Sequence, residues 1–147
     1  MITARLSPGG LAAKSPCVYV ITASRGRRRV FYVGRTLTAS GTGMSCPYKR
    51  LGTHLAKRGK TQSSIWRTAT ELREDWFDNG AISFCALPIS PKQVAVAEKW
   101  VMSQFEVSTL LNRRPCREAP GISSILRQKL ARLDRGEALI WGATSVQ

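Results

Sequence analysis

Cys17-Val-Tyr-Val-Ile-Thr-Ala23, Ser24-Arg-Gly-Arg-Arg-Arg29 and Val30-Phe-Tyr-Val-Gly34 follow one another in the chain, and their reading decides the fold. Two short runs of β-branched and aromatic residues on either side of a Gly-containing basic turn predict an antiparallel hairpin. An even-numbered loop centred between Arg25 and Gly26 sets Tyr19 directly opposite Tyr32, and paired residues project from one face of a sheet. Two phenols then stand side by side.

Outward from the hairpin, residues 35–46 are rich in Gly, Ser and Thr, lack a period and read as a loop. Pro47-Tyr-Lys-Arg-Leu-Gly-Thr-His-Leu-Ala-Lys57 then opens with proline and spaces Leu51 and Leu55 as one helical face. On that helix Arg50 and His54 are also i and i+4 and can point at one spot. A second helix is expected over residues 63–76, from the helical spacing of Ile65, Ala69, Leu72 and Trp76, with Asn79-Gly80 stopping it. Ala81-Ile-Ser-Phe-Cys-Ala-Leu-Pro-Ile89 predicts a third strand, whose Pro88 suits an end or an edge.

Ser90-Pro91 starts the next predicted helix, which runs to Glu106 with Val94, Ala97, Val101 and Phe105 as its buried stripe. Glu98 falls inside that stripe. A carboxylate there must be paired or must hold a cation, because burying it bare is too costly. An ion pair with one of the many arginines satisfies that requirement as well as a metal does. A last helix is expected over residues 122–136, with Ile125, Leu126, Leu130 and Leu133 inward and Arg127, Lys129 and Arg132 outward.

The fold class these elements predict is α/β in the α+β sense: a small three-stranded, antiparallel-containing sheet flanked by helices. Residues 1–15 read as a loose arm and residues 16–147 as a single domain, with the core in 16–115. The first residues lack the apolar run of a signal peptide and no stretch is long and apolar enough to span a membrane, so a cytoplasmic protein is expected. Cys17, Cys46, Cys85 and Cys116 are scattered without a C-x-x-C pair and are expected to be reduced, and a structural zinc site is not expected.

Of 147 residues, 23 are Lys or Arg against 9 Asp or Glu, a formal charge of +14. A cation of that size on a small chain most often serves a polyanion, and nucleic acid is the commonest. Candidate phosphate-contacting cations are Arg27, Arg28 and Arg29 at the hairpin tip, Arg35 beyond it, Lys49, Lys57, Arg58 and Lys60 around the first helix, and Arg113 and Arg114.

The conjunction Val18-Tyr19-Val20, Tyr32-Val33-Gly34, then Arg50-x-x-x-His54, resembles the core of the GIY-YIG nucleases, with valines in place of that signature's first glycine and both isoleucines. The resemblance covers roughly residues 16–115. It implies a metal-dependent endonuclease acting on DNA, with Tyr19, Tyr32, Arg50, His54, Glu98 and Asn112 as the catalytic set. Glu98 would ligate one Mg²⁺ or Mn²⁺ per site, and Arg50 would stabilise the charge on the scissile phosphate. Tyr19 would act as base or relay water's proton, with His54 or the metal as its helper, and Tyr32 would position water or phosphate. Asn112 stands where these nucleases carry an asparagine, and as a turn residue bonding its own backbone it has an ordinary alternative role. Arg35 follows Tyr-Val-Gly directly; an arginine there could donate to phosphate but is a poor proton acceptor.

A restriction-like or mobile-element enzyme is the expected context, and cutting both strands with one site per chain would need a homodimer or sequential nicking. Two other classes fit the charge: a non-catalytic nucleic-acid-binding module of this fold, and a basic structural protein of a nucleoprotein particle.

Overall fold

The structure, a computed structural model, describes residues 16–36, 50, 52, 54, 81–111 and 122–134. Strand β1 spans Cys17–Arg25, β2 Arg28–Thr36 and β3 Ala81–Pro88. They form one antiparallel sheet in the order β2-β1-β3, so β1 is central. The described chain is an α+β arrangement, with helix α1 over Val94–Ser103 and α2 over Ser124–Asp134.

The hairpin turns more tightly, and one residue later, than its sequence predicts. Gly26 sits at φ 59°, the left-handed region where a missing Cβ carries no steric penalty, and Gly26 and Arg27 alone join the strands. Moving the turn centre by one residue moves the register by two. Tyr19 therefore pairs with Gly34 and Ile21 with Tyr32, rather than Tyr19 with Tyr32. Because side chains alternate with period two, a two-residue slip keeps both phenols on one face as diagonal neighbours.

The two faces of the sheet have different work. Val18, Val20, Val33 and Cys85 point to the helices and join Val94, Ala97, Trp100 and Val101 of α1 and Leu126, Leu130 and Leu133 of α2 in the main core. Tyr19, Ile21, Tyr32, Gly34 and Phe84 share the other face by alternation and pairing. On the outer side of β2, Phe31 forms a parallel bridge with Leu110, and its carbonyl accepts the Leu111 N–H at 2.7 Å.

Helix α1 starts a turn later than Ser90-Pro91 suggests: residues 91–93 form a turn in which the Ser90 carbonyl accepts from both Gln93 and Val94. The expected stripe is observed, with Val94, Ala97 and Val101 buried and Phe105 packed against the core. The helix ends at Ser103, short of Glu106, where Ser103 Oγ donates to the Trp100 carbonyl and a 3-10 turn follows at Val107–Thr109. In α2, the Ser123 hydroxyl accepts the Leu126 N–H at 3.3 Å as an N-cap. Leu126, Leu130 and Leu133 are inward as expected, but Ile125 is 67% exposed. The inward positions at i, i+4 and i+7 leave a neighbour of Leu126 about 100° off the stripe, so Ile125 could not join it.

Cys17 and Cys85 are buried and in no disulfide, as expected. No helix among the described residues is long and apolar enough to cross a membrane. Arg35 and Thr36, expected at the start of a loop over 35–46, instead extend β2 by pairing with Val18 and Cys17. The rest of that loop, the expected arm at 1–15 and the helix at 63–76 lie outside the described residues, as do Cys46 and Cys116.

Candidate active site

Tyr19 is the centre of the site, and central-strand position explains why. Its partners on either side are Gly34 on β2 and Ala86 on β3, two of the smallest residues a strand can present. The Tyr19 ring lies over Gly34: a Cβ built there would fall within the ring's outer carbons and its hydroxyl. Gly34 is thus the floor beneath the phenol. Phe84 stacks on the other side at a centroid distance of 5.3 Å, and Tyr32 lies 6.4 Å away, both 27° from parallel.

His54 closes the cluster from the helical segment that holds Arg50 and Gly52. Its Nε2 lies 2.8 Å from the Tyr19 hydroxyl, and its ring lies 4.6 Å from that of Tyr32. Arg50, one turn earlier, is exposed while His54 is buried, so the helical segment presents a cation to solvent and an imidazole to the phenols.

The electrostatics fix the protonation states. Burial, then the neighbouring Tyr32, push the Tyr19 phenol above its ordinary range; Arg50 opposes this, while Cys17 and Glu98 add to it. Burial, then Arg50, bring the His54 imidazole down from 6.5 to about 4. At neutral pH the phenol keeps its proton and the imidazole is neutral. With both groups neutral, the tautomer sets the direction of this bond: with the imidazole proton on Nδ1, the hydroxyl donates and Nε2 accepts.

Glu98 stands on the other side of the sheet from this cluster. Its helix packs on the valine face, opposite the phenols, and its Oε2 meets Arg35 Nε at 3.2 Å. Arg35 is the next residue after Gly34, and β2 is an outer strand, so acid and phenol approach the same short edge from opposite faces. The Glu98 charge is the least of the causes that raise the Tyr19 phenol. Of the sequence candidates, Tyr19, Tyr32 and His54 are brought into contact, with Arg50 exposed one turn from His54, whereas Glu98 stands on the opposite face of the sheet with Arg35 rather than beside the phenols.

At the hairpin tip Arg27, Arg28 and Arg29 are exposed. Asn112, Lys49, Lys57, Arg58, Lys60, Arg113 and Arg114 lie outside the described residues. Sequence reading missed Phe84 and Thr36. Phe84 was on the page as the aromatic of the third strand, but its place against Tyr19 depends on a pairing across some sixty residues that no local pattern specifies. Thr36 is fully buried and its Oγ1 accepts the Cys17 N–H at 3.0 Å, tying the end of β2 beside the site.

Among the described residues, no three His, Cys, Asp or Glu side chains gather as a metal cluster. Glu98 supplies one carboxylate, and the group facing it is already a cation, the Arg35 guanidinium. Comparison of the chain with protein-family models, with curated proteins and with solved structures finds no match.

Proposed function

We propose that the protein is a divalent-metal-dependent endonuclease of the GIY-YIG kind that hydrolyses phosphodiester bonds in DNA. The observation that carries this reading is the Tyr19 hydroxyl at 2.8 Å from His54 Nε2, in the joint field of Tyr32, Arg50 and Glu98. Hydrolysis needs an activated water, stabilisation of charge on the phosphate and a protonated leaving oxygen.

The pair Tyr19–His54 supplies the first without forming a free phenolate, which burial disfavours. As water attacks phosphorus, its proton passes to the Tyr19 oxygen while the phenol's own proton passes to Nε2 of neutral His54. The resulting imidazolium, which burial and Arg50 make acidic, gives a proton to the leaving oxygen as its bond to phosphorus breaks. Tyr32, beside both rings, orients the water or the phosphate through its hydroxyl. Arg50 is exposed and meets the charge that builds on the phosphate oxygens.

Glu98 is the carboxylate that would hold Mg²⁺ or Mn²⁺. A single hard oxygen donor suits these ions, which take one or two carboxylates and complete their shell with water and substrate phosphate. Bound there, the ion supplies neutralisation of phosphate charge and acidification of water. The exposed arginines of the hairpin tip would hold the DNA backbone, and two copies of the chain, or two successive nicks, would cut both strands. A restriction-like or mobile-element role is the context this chemistry fits.

One observation favours a second reading, a nucleic-acid-binding module without catalysis: Glu98 is already neutralised by Arg35. Supercoiled plasmid separates the two. The nuclease should nick it with Mg²⁺, not with EDTA, and not as Glu98→Ala. A binding module should retard the plasmid with a steep loss of affinity in salt and leave it supercoiled in every lane.

A further inference from the structure

The hairpin carries its cations at the end away from the phenols. Gly26 and Arg27 form the two-residue link, β2 opens with Arg28 and Arg29, and Arg27, Arg28 and Arg29 are all exposed. No acidic residue occurs between Cys17 and Thr36, so the hairpin itself offers these guanidinium groups no counter-charge. Strand β3 pairs with β1 as far as Ser24, which faces Arg29 on β2. Beyond that point lie one residue pair, Arg25 with Arg28, and the link, a length of roughly 7 Å at ~3.4 Å per residue.

Alternation along β2 also decides which way the cations face. Counted from Gly34 and Tyr32, Arg28 falls on the phenol face; counted from Val33 and Phe31, Arg29 falls on the helix face. Arg27 stands at the apex. A tip laid against a single row of phosphates would use one of these faces and leave the other in water, whereas a groove has phosphates along both sides. The major groove of B-form DNA, about 12 Å wide and ~8.5 Å deep, admits a two-stranded ribbon, and the minor groove, ~6 Å wide, does not.

We propose that the hairpin tip enters the major groove of duplex DNA, with Arg28 and Arg29 meeting the phosphates of its two walls and Arg27 facing the base edges. This rests on the nucleic-acid partner of the proposed function and not on cleavage. Arg28 is six residues from Gly34 along β2, from 34 back to 28, which is about 20 Å at ~3.4 Å per residue. At ~3.4 Å per base pair that span covers about six base-pair steps, less than one helical turn, so the tip and the Tyr19 site can meet the same duplex.

The test is equilibrium binding of the full chain in EDTA, followed by fluorescence anisotropy. It uses three labelled duplexes of one sequence and about 20 base pairs, two helical turns. The first is plain DNA. In the second, every cytosine is replaced by glucosylated 5-hydroxymethylcytosine, whose uncharged sugar fills the major groove. The third is RNA, which carries the same phosphates but has a major groove too deep and narrow for side chains to read. Wild type should bind the second and the third at least about tenfold more weakly than the first, the equivalent of losing one charge-assisted contact. Arg27→Gln/Arg28→Gln/Arg29→Gln should bind plain DNA more weakly and lose that preference. Its slope of log affinity against log salt should be shallower by about 2, one for each wall contact.

A wild type that binds either the filled or the RNA duplex as tightly as plain DNA overturns the groove contact, as does a triple variant that keeps the preference. Failure to bind plain DNA at all overturns it together with the nucleic-acid partner. In EDTA nothing is cut, so these outcomes are separate from the nuclease. A protein that shows the preference and never nicks plasmid upholds the groove contact and removes the nuclease, and nicking without the preference does the reverse. Wild type alone decides the preference even where the variant folds poorly.

Discussion

Gly34→Ala should destabilise the protein, although alanine is ordinarily the better strand residue. Glycine in a strand interior costs roughly 0.5–1 kcal/mol relative to alanine, so with open space above it the substitution would be a gain. The space is not open. A Cβ at position 34 would overlap the outer carbons and the hydroxyl of Tyr19. That ring is 2% exposed and stacked on Phe84, so it cannot step aside without disturbing its neighbours and its 2.8 Å contact with His54. Overpacking of this kind costs about 1–3 kcal/mol. The net expectation is a loss of about 1–2 kcal/mol, or ~2–6 °C in Tm at this chain length.

The decisive form is a double-mutant cycle in urea, followed by far-ultraviolet circular dichroism. In a Tyr19→Val background the ring is gone, and Gly34→Ala should be neutral or stabilising by up to about 1 kcal/mol. The coupling of Gly34 to Tyr19 should therefore be about 1–3 kcal/mol. Equal costs of Gly34→Ala in the two backgrounds would show that the ring does not lie on the glycine, and the geometry of the site would have to be abandoned.

Three further outcomes follow from the same contacts. His54, with its imidazole brought down to about 4, should make the fold sensitive to acid. The unfolded chain takes up this proton as pH falls through ~6.5, while the folded chain does not until about 4, so stability is full above ~6.5 and drains away between the two. At ~1.36 kcal/mol per pH unit the loss is at most about 3 kcal/mol, and His54→Gln should flatten that part of the stability profile relative to wild type. Leu130→Ala should cost about 2–5 kcal/mol in chemical denaturation, because Leu130 is 1% exposed within the core. Ile125→Gln, on the same helix but 67% exposed, should stay within about 0.5 kcal/mol of wild type. A large cost at Ile125 would mean that α2 packs on a different face.

Much of this architecture is legible in the residues because it is locally determined. The alternation through Val18, Val20 and Val33 marks the core face, and the turn-forming glycine at 26 locates the hairpin. The spacing of Val94, Ala97 and Val101 likewise marks the inner side of α1, but Glu98, expected inside that stripe, stands at its margin with its side chain 23% exposed. What escaped was whatever a single residue of displacement decides. Arg25, Gly26 and Arg27 allow several tight turns, and only the left-handed glycine in the first loop position sets Tyr19 against Gly34 rather than Tyr32. Gly34 could not be recognised as the floor of the site without that register.

Nonlocal pairings escaped for a different reason. Nothing near Glu98 in the chain selects Arg35 among the many arginines, since that choice is made by how α1 lies across β2. Phe84 against Tyr19 depends on β3 adding to the far side of β1. Ile125 is a local matter instead: it lies about 100° around the helix from Leu126, off the stripe that Leu126, Leu130 and Leu133 share.

The central claim is that Tyr19, His54, Arg50 and Glu98 act as a unit on one phosphodiester. Single-turnover nicking of supercoiled plasmid in Mg²⁺ by wild type, Tyr19→Phe, Glu98→Ala and the double variant tests it directly. Each single variant should lose at least about 100-fold in rate, and the double should lose little more than the worse single, because groups serving one step are strongly non-additive. Nicking that survives Tyr19→Phe unchanged, or a wild type that binds the plasmid and never cuts it, would contradict the claim.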